Sequence, residues 1–430
     1  MRLTGLWRNA DFIKLWAGQT ISQLGSRITR DGLPLAAVLV LEATPSQMGL
    51  LAALGSAPVL VLGLVAGVWV DRLRRRPILI MADLGRAVLL ATIPLAAVMG
   101  VLSIGQLYVV AALAGVLTLF FDVAYQSYLP SLVERENILE GNTKLALSDS
   151  VAEFAGPTLA GLLVQVLTAP IAILFDALSF LVSAASVALI RKAEGPAQQD
   201  KGTNVQTDPE AESSFDPRPP SFQREALEGL RVVLRQPVLR ALAGNSGTRS
   251  FFGSFLAGLY GLYAIRVLGL GPAALGAIIA VGGVGNLLGV LLAARLVRRA
   301  GLGATLIGAS VANGLIGFLL PLAGGPPVAA AAFLVAGQLF GDMAQTIFDI
   351  HAVSLRQAMT PDRLLGRTNA SMQLLEAGLG PIGALVGGVL GQIAGVREAI
   401  FISALGRFLA FLWLVSLPVR RLDGAGIERG

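Results

Sequence analysis

The chain reads as an all-α polytopic membrane protein, with twelve transmembrane helices in two pseudo-symmetric six-helix bundles. Three observations lead there. Of 430 residues, 54% are hydrophobic and only 14% charged, whereas a soluble domain carries about 25% charged residues; the mean hydropathy is +0.72. Apolar runs recur along the whole chain, each long enough for the roughly 20 helical residues that cross about 30 Å of hydrocarbon. The arginines, finally, stand at alternate ends of these runs. That pattern is the topological bias of a membrane chain and not the continuous basic face of a nucleic-acid binder, despite a net charge of +6. The 51 glycines agree, since small residues let membrane helices approach closely.

Taken in order, the runs lie at about 14–41, 46–70, 77–100, 105–128, 143–167 and 170–190, then at 238–264, 272–294, 303–324, 327–350, 367–393 and 397–417. The segment before the first run, Met1 to Trp7, has no cleavable signal pattern, so the first span is expected to be retained. Arg72, Arg74, Arg75 and Arg76 follow the second span, and Arg295, Arg298 and Arg299 the eighth. Arg356, Arg363 and Arg367 flank the turn after the tenth, and Arg420 and Arg421 follow the last. The opposite ends carry only Arg266 and Arg397. By the positive-inside rule this asymmetry places both termini in the cytoplasm of a multi-pass protein of the plasma or inner membrane.

Between the halves the composition changes. Residues 191–221 are polar and rich in proline, as in Asp208-Pro209-Glu210 and Pro217 to Pro220, and read as a disordered linker. Phe222 to Arg235 follows with Leu227, Leu230, Val233 and Leu234 on one helical face, the pattern of an interfacial helix. The expected units are therefore residues 1–190, a tether at 191–237, and 238–430.

The halves share an order of small signals. Phe121-Asp122 in span four matches Phe348-Asp349 in span ten, and Pro130 matches Pro361. Glu153 precedes Gly156-Pro157 in span five as Glu376 precedes Gly380-Pro381 in span eleven. Internal repeats of this kind are a common way to build a transporter. The cluster after span two, Gly67 to Pro77, has a counterpart at Gly289 to Arg295, in which Ala293 replaces Asp71.

These residues carry a resemblance to the major facilitator superfamily. Gly67, Asp71, Arg72, Arg75 and Arg76 are similar to its loop motif between spans two and three, with Arg74 where a glycine is usual. Gly156-Pro157 with Gly161 is similar to the fifth-span motif of its antiporters, with Ala160 in place of a second glycine. Asn142 to Leu163 and Ser354 to Ser371 resemble the branch of enterobactin-exporter-like and macrolide-efflux-like proteins. The resemblance implies two rocking bundles, alternating access and efflux.

A charge near the bilayer centre costs at least about 2.5–3.5 kcal/mol, so each intramembrane ionisable group needs a partner, water or a task. In span one, Arg30 and Asp31 are expected in a central cavity, binding a charged substrate or taking up a proton; an Arg27–Asp31 pair at helical spacing is the structural alternative. Asp122 is read as a proton site or a partner for a span-one arginine. Glu153 and Glu376 are proton-exchanging carboxylates, or gate residues paired with arginines of the cytoplasmic turns. Arg249 neutralises a facing acid or holds an anionic substrate, and Asp342 is the most central acid of the second half. Asp349 and His351 are expected at the cytoplasmic margin of span ten, Asp176 near the outer end of span six, and Asp83–Arg86 as a structural pair. Pro157 and Pro381 bend their helices, while Gly156, Gly161 and Gly380 permit close packing. Asp71 with Arg72, Arg75 and Arg76 reads as a latch that closes the cytoplasmic side, the acid meeting the start of another helix.

The expected activity is proton-coupled efflux of a small amphipathic or anionic molecule, by a monomer whose other partners are protons and the lipid bilayer. A solute importer and a lysophospholipid flippase share the fold, and a transport-inactive receptor or scaffold is the rival from another class. No cofactor, metal site or enzymatic constellation is expected: there is no cysteine, one histidine and no phosphate-cradling glycine loop.

Overall fold

The computed structural model describes residues 5–192 and 231–415, apart from the side chains at 64, 65, 68, 71, 72, 135, 362 and 363. The expected linker from 193 onward and most of the expected interfacial helix at 222–235 lie outside the described residues; 231–235 are helical.

The first half contains α1 (Ala10–Leu39), α2 (Pro45–Arg72), α3 (Arg75–Val98), α4 (Ile104–Leu132), α5 (Ile138–Leu167) and α6 (Ala169–Ala188). The second contains α7 (Pro237–Leu262), continued by a π turn at Tyr263–Val267, then α8 (Pro272–Ala300) and α9 (Leu302–Gly317), which a short turn, Leu319–Leu322, prolongs. It closes with α10 (Pro327–Met359), α11 (Asp362–Ile393) and α12 (Val396–Leu409), the last prolonged by Leu412–Val415. Among the described residues there is no strand.

Local chemistry sets the helix starts. The Asn9 side chain accepts from the N–H groups of Asp11 and Phe12 at 3.0 and 3.1 Å, covering donors that the first turn of α1 leaves open. Thr44 and Gln47 form a reciprocal capping box ahead of Pro45, whose missing N–H costs nothing at a helix start. At α4 the Ser103 side chain accepts from the Gln106 N–H at 3.3 Å, a one-way cap. Turns between helices are short: Gly395, at φ 109°, joins α11 to α12 with a conformation that suits glycine, and Thr168 holds φ 90° at the matching turn between α5 and α6.

Eleven segments among the described residues are long and apolar enough to cross a membrane. The exception is α1, which is 30 residues long but carries Lys14, Arg27, Arg30 and Asp31. Both α5 and α6 pack along it. Large apolar side chains such as Val61, Met81, Val88 and Val98 are exposed on the outer faces, as a hydrocarbon solvent demands.

Helices α1 to α6 pack largely on one another, and α7 to α12 do the same; α2–α11, α5–α8, α2–α7 and α1–α7 bridge the halves. The apolar cores show where the bridging happens. One cluster joins both halves, with Leu35, Met48 and Val164 against Tyr263, Leu275 and Ile278. Two other clusters are confined to one half each, around Phe12, Leu79 and Tyr128 in the first and Leu239, Phe348 and Leu355 in the second. The shared core lies where α1, α5 and α11 end and α2 and α8 begin. The separate cores lie at the arginine-rich end, so the halves diverge toward the arginines.

Several ends differ from the apolar runs. Helix α5 begins at Ile138 rather than near 143, and α10 continues to Met359 rather than stopping near 350. Polar residues facing a wet interior lower local hydropathy without ending a helix, because backbone bonds continue regardless of the side chain. Two placements change as a result. Asp349 does not sit at the margin of its helix but well inside α10, and Asp176 packs against Gly25, halfway along α1, rather than near the end of α6.

Candidate functional site: a charged cavity between the halves

The seam between the halves is built from small residues. A Cβ at Gly49 would meet the Cα of Gly388 at 2.7 Å, and one at Gly258 would meet the carbonyl oxygen of Met48 at 2.9 Å, so α2, α7 and α11 touch backbone to backbone. Gly161 of α5 lies equally tight on Pro272 and Gly276 of α8, and Pro157 contributes its carbonyl to the same contact. Helix ends are capped across this seam. Arg266 donates to the carbonyls of Val38 and Ala43 at 2.8 and 2.9 Å, and the Gln165 side chain accepts from the Ala273 N–H at 3.1 Å.

Beneath the seam lies a cavity of about 870 Å³ lined from both halves. The first half contributes Arg30, Asp31, Ser56 and Thr118, and the second contributes Arg249, Ser250, Gln338, Asp342, Asn313 and Arg407. Leucines, alanines and glycines make up most of the remaining wall. A second cavity of about 470 Å³ shares Arg249 and Arg407 and reaches Asp349, Arg356 and Glu376. A third, of about 610 Å³, shares Arg30 and Thr118 and reaches Arg27, Arg86, Asp122 and Asp149. The structure thus brings Arg30, Asp31, Arg249 and Asp342 to one chamber, with Asp122 and Glu376 in side chambers of opposite halves.

The pairing inside α1 differs from the helical-spacing alternative. Arg27 does not pair with Asp31. It reaches α5 instead, with Asp149 at 3.3 Å and Glu153 as partners, and Arg30 lies 3.7 Å from Glu153. Gly156 makes room for this, because the stem of Arg27 lies where its Cβ would be. Two carboxylates on a neighbouring helix outcompete one acid on the same helix, where side chains at i and i+4 gain only about 0.2–0.5 kcal/mol. Glu153 accordingly meets arginines of α1 rather than those of the turns. Asp31 is left without a hydrogen bond or ion pair among the described residues.

In the second half, Gln338 donates to Asp342 at 2.7 Å and Gln345 to Asp349 at 2.7 and 2.9 Å, each from one turn earlier in α10. Arg249 is only 8% exposed and stacks over the Phe348 ring at 4.6 Å. No hydrogen bond or ion pair reaches it from the described residues, and its Nη1 is buried without a partner. Arg407 donates to Asn313 at 2.8 Å and has no acid within ion-pair distance among the described residues. Sequence reasoning passed over Arg407. Its one signal was a lone arginine inside the apolar twelfth span, without a repeat partner or motif.

Other charged residues serve the frame. Asp83 and Arg86 pair within α3, both buried, and Arg86 is sandwiched by Phe121 and Phe180 at 4.3 and 4.1 Å. His351 is buried, with Nε2 3.2 Å from the Ala293 carbonyl oxygen. Asp176 accepts from the Ser179 hydroxyl at 3.0 Å. In the arginine-rich turn, Arg76 donates to the Ala188 carbonyl at 2.6 Å, a cation on the negative end of α6. Gly67 has open space around it, and the Asp71 and Arg72 side chains lie outside the described residues. Pro157 and Pro381 both lie inside continuous helices, and Gly380 has only the Ser254 and Ser250 hydroxyls nearby, at 3.4 and 3.9 Å. No group of acids and histidines that could hold a metal ion occurs among the described residues.

Known proteins share this sequence and architecture. The chain is 28% identical over 398 residues to the multidrug efflux pump Tap of Mycolicibacterium fortuitum, covering 90% of this chain and 91% of the pump. It is 30% identical over 234 residues to macrolide efflux protein A of Streptococcus pyogenes, covering 54% and 53%. The fold matches that of a bacterial homologue of the iron transporter ferroportin in its inward-facing state, with a TM-score of 0.71 at 18% identity over 96% of this chain and 99% of that one. Residues 15–381 match the Major Facilitator Superfamily as a family. With the helices α1 to α12 among the described residues and a cavity walled from both halves, the chain is a multi-pass membrane transporter belonging to the Major Facilitator Superfamily.

Proposed function

We propose that the protein exports a small amphipathic or anionic molecule across the cell membrane by alternating access, in exchange for protons. The arginine-rich end is the cytoplasmic one on this reading, so the cavity opens to the cytoplasm and the glycine seam closes the outer side. Residues 1–190 and 238–430 are the rocking bodies, 191–237 is their tether, and one copy suffices. The export direction is supported by the similarity to the multidrug efflux pump Tap and macrolide efflux protein A.

One observation carries the coupling. Asp31 lines the shared chamber without a hydrogen bond or ion pair among the described residues, next to a set of arginines already engaged by Glu153 and Asp149. A carboxylate in that position can hold a proton from one side and release it to the other as the bundles rock. Asp122, Glu153, Asp342 and Glu376 then support it, Glu153 by occupying Arg27 and Arg30. Asp31→Asn is expected to abolish substrate-stimulated proton flux in reconstituted vesicles while protein abundance in the membrane stays unchanged. Full proton-driven efflux by that variant would overturn the assignment.

A further inference from the structure

We propose that Arg249 and Arg407 form the recognition site for the acid group of an anionic amphipath, which narrows the substrate class within the transport reading above. Arg249 comes from α7 and Arg407 from α12, and both line the main chamber and its side chamber in the second half. Gly253, one turn beyond Arg249, lies beside the second arginine: the Cδ of Arg407 is 4.0 Å from where a Cβ there would be, an ordinary van der Waals distance. The hydroxyl of Ser403, one turn before Arg407, donates to the Phe252 carbonyl at 2.6 Å and holds α12 against α7. Two arginines on mutually packed helices therefore line the same two cavities.

Neither cation has an ion-pair partner among the described residues. Arg249 is buried with an orphan Nη1, and Arg407 has only the Asn313 amide oxygen. The acids around them form no ion pair with either arginine: Asp342 takes the Gln338 amide, Asp349 takes the Gln345 amide, and Glu376 lines the side chamber beyond ion-pair distance. Leaving a buried charge and its donors unpaired is costly, and an incoming anion removes the cost. Planar guanidinium forks suit carboxylates, sulfonates and phosphates, which accept two donors at once. Beyond the arginines the wall turns apolar, with Leu33, Leu51, Leu256, Ile279 and Leu320. The complementary ligand has one acid head and an apolar body. A cation would meet two like charges here, with Asp342 in the main chamber and Asp349 and Glu376 in the side chamber as the acids that share their walls.

The test uses the full chain in lipid nanodiscs at equilibrium, without a gradient, so that it reads recognition independently of coupling. Three probes share one aromatic body: a naphthalenesulfonate, a naphthylmethylammonium and a naphthalenemethanol. The sulfonate is expected to bind at least about tenfold tighter than the other two, and Arg249→Gln and Arg407→Gln each to weaken it by about tenfold or more while the neutral probe is unmoved. A cationic or neutral probe that binds as tightly as the sulfonate, or unchanged sulfonate affinity in both variants, would overturn the site. Protection guards against misfolded variants. With both arginines in place, the sulfonate but not the ammonium should slow thiol labelling at Ser254→Cys in the chamber wall; equal protection by both would also overturn it. A lysophosphatidate in the bilayer presents the same head chemistry from lipid. Displacement of the sulfonate by it assigns the site to lipid headgroups, and failure to displace assigns it to water-borne anions. Binding with these dependences but no flux of any probe would count against transport and leave the site standing.

Discussion

At the scale of single residues, the charges of this chain divide by whether the protein supplies their partner. Asp83 and Arg86 are 0% and 5% exposed at the side chain and pair with each other, the guanidinium between two aromatic rings. Breaking such a pair strands a charge in the interior, at about 3–5 kcal/mol, whereas replacing both partners with apolar residues is often neutral. Asp83→Asn is therefore expected to lower the thermal unfolding midpoint sharply in detergent, and the double change Asp83→Leu with Arg86→Met to recover most of it. Arg249 and Asp31 belong to the other kind, present in the cavity wall with no hydrogen bond or ion pair among the described residues. That division was half legible. The three-residue spacing gave the Asp83–Arg86 pair away, and the cost of intramembrane charge singled out Arg30, Asp31 and Arg249. Partner choice was not legible: Arg27 chose acids on α5 over Asp31, and Arg407 gained meaning only from the packing of α12 on α7.

At the scale of helices, the count and order were readable because the need to bridge a bilayer leaves a plain mark in hydropathy. Where helices stop was harder to read. Helix α10 runs past Asp349 because its polar face looks into the cavity, and hydropathy cannot tell a wet interior from a helix end. The meaning of the glycines was also hidden, since they are common in membrane helices, and only the fold separates Gly49, packed on Gly388, from Gly67, which faces open space. The seam predicts a specific outcome. Gly49→Val should force α2 away from the α11 backbone and weaken closure there. The chain has no cysteine, so one reporter at Ser56→Cys reads it cleanly. Thiol labelling of that reporter from the outer side should rise several-fold with Gly49→Val; unchanged labelling would mean the seam gives elsewhere.

At the scale of the whole molecule, the halves share a core at one end and keep separate cores at the other, the geometry of a carrier caught in one of its two poses. The opposite pose needs something to hold the arginine-rich end together. The acid of the arginine-rich turn, which the second half replaces with Ala293, suits that task. Asp71→Asn is expected to cripple transport while single-cysteine topology mapping stays unchanged; inverted topology or retained transport would remove the latch. The closed seam has an electrical consequence too. Water in the open chamber carries the potential of one compartment up to Arg249, Arg407 and Asp31, so nearly the whole membrane voltage falls across the thin layer where Gly49, Gly161 and Gly258 pack and Arg266 caps α1. Each elementary charge that passes from one side of that layer to the other exchanges about 2.3 kcal/mol per 100 mV. If the bundles rock as proposed, the insulating layer changes ends while the charged wall stays in place, and the voltage does its work on the carrier by moving the field past the charges.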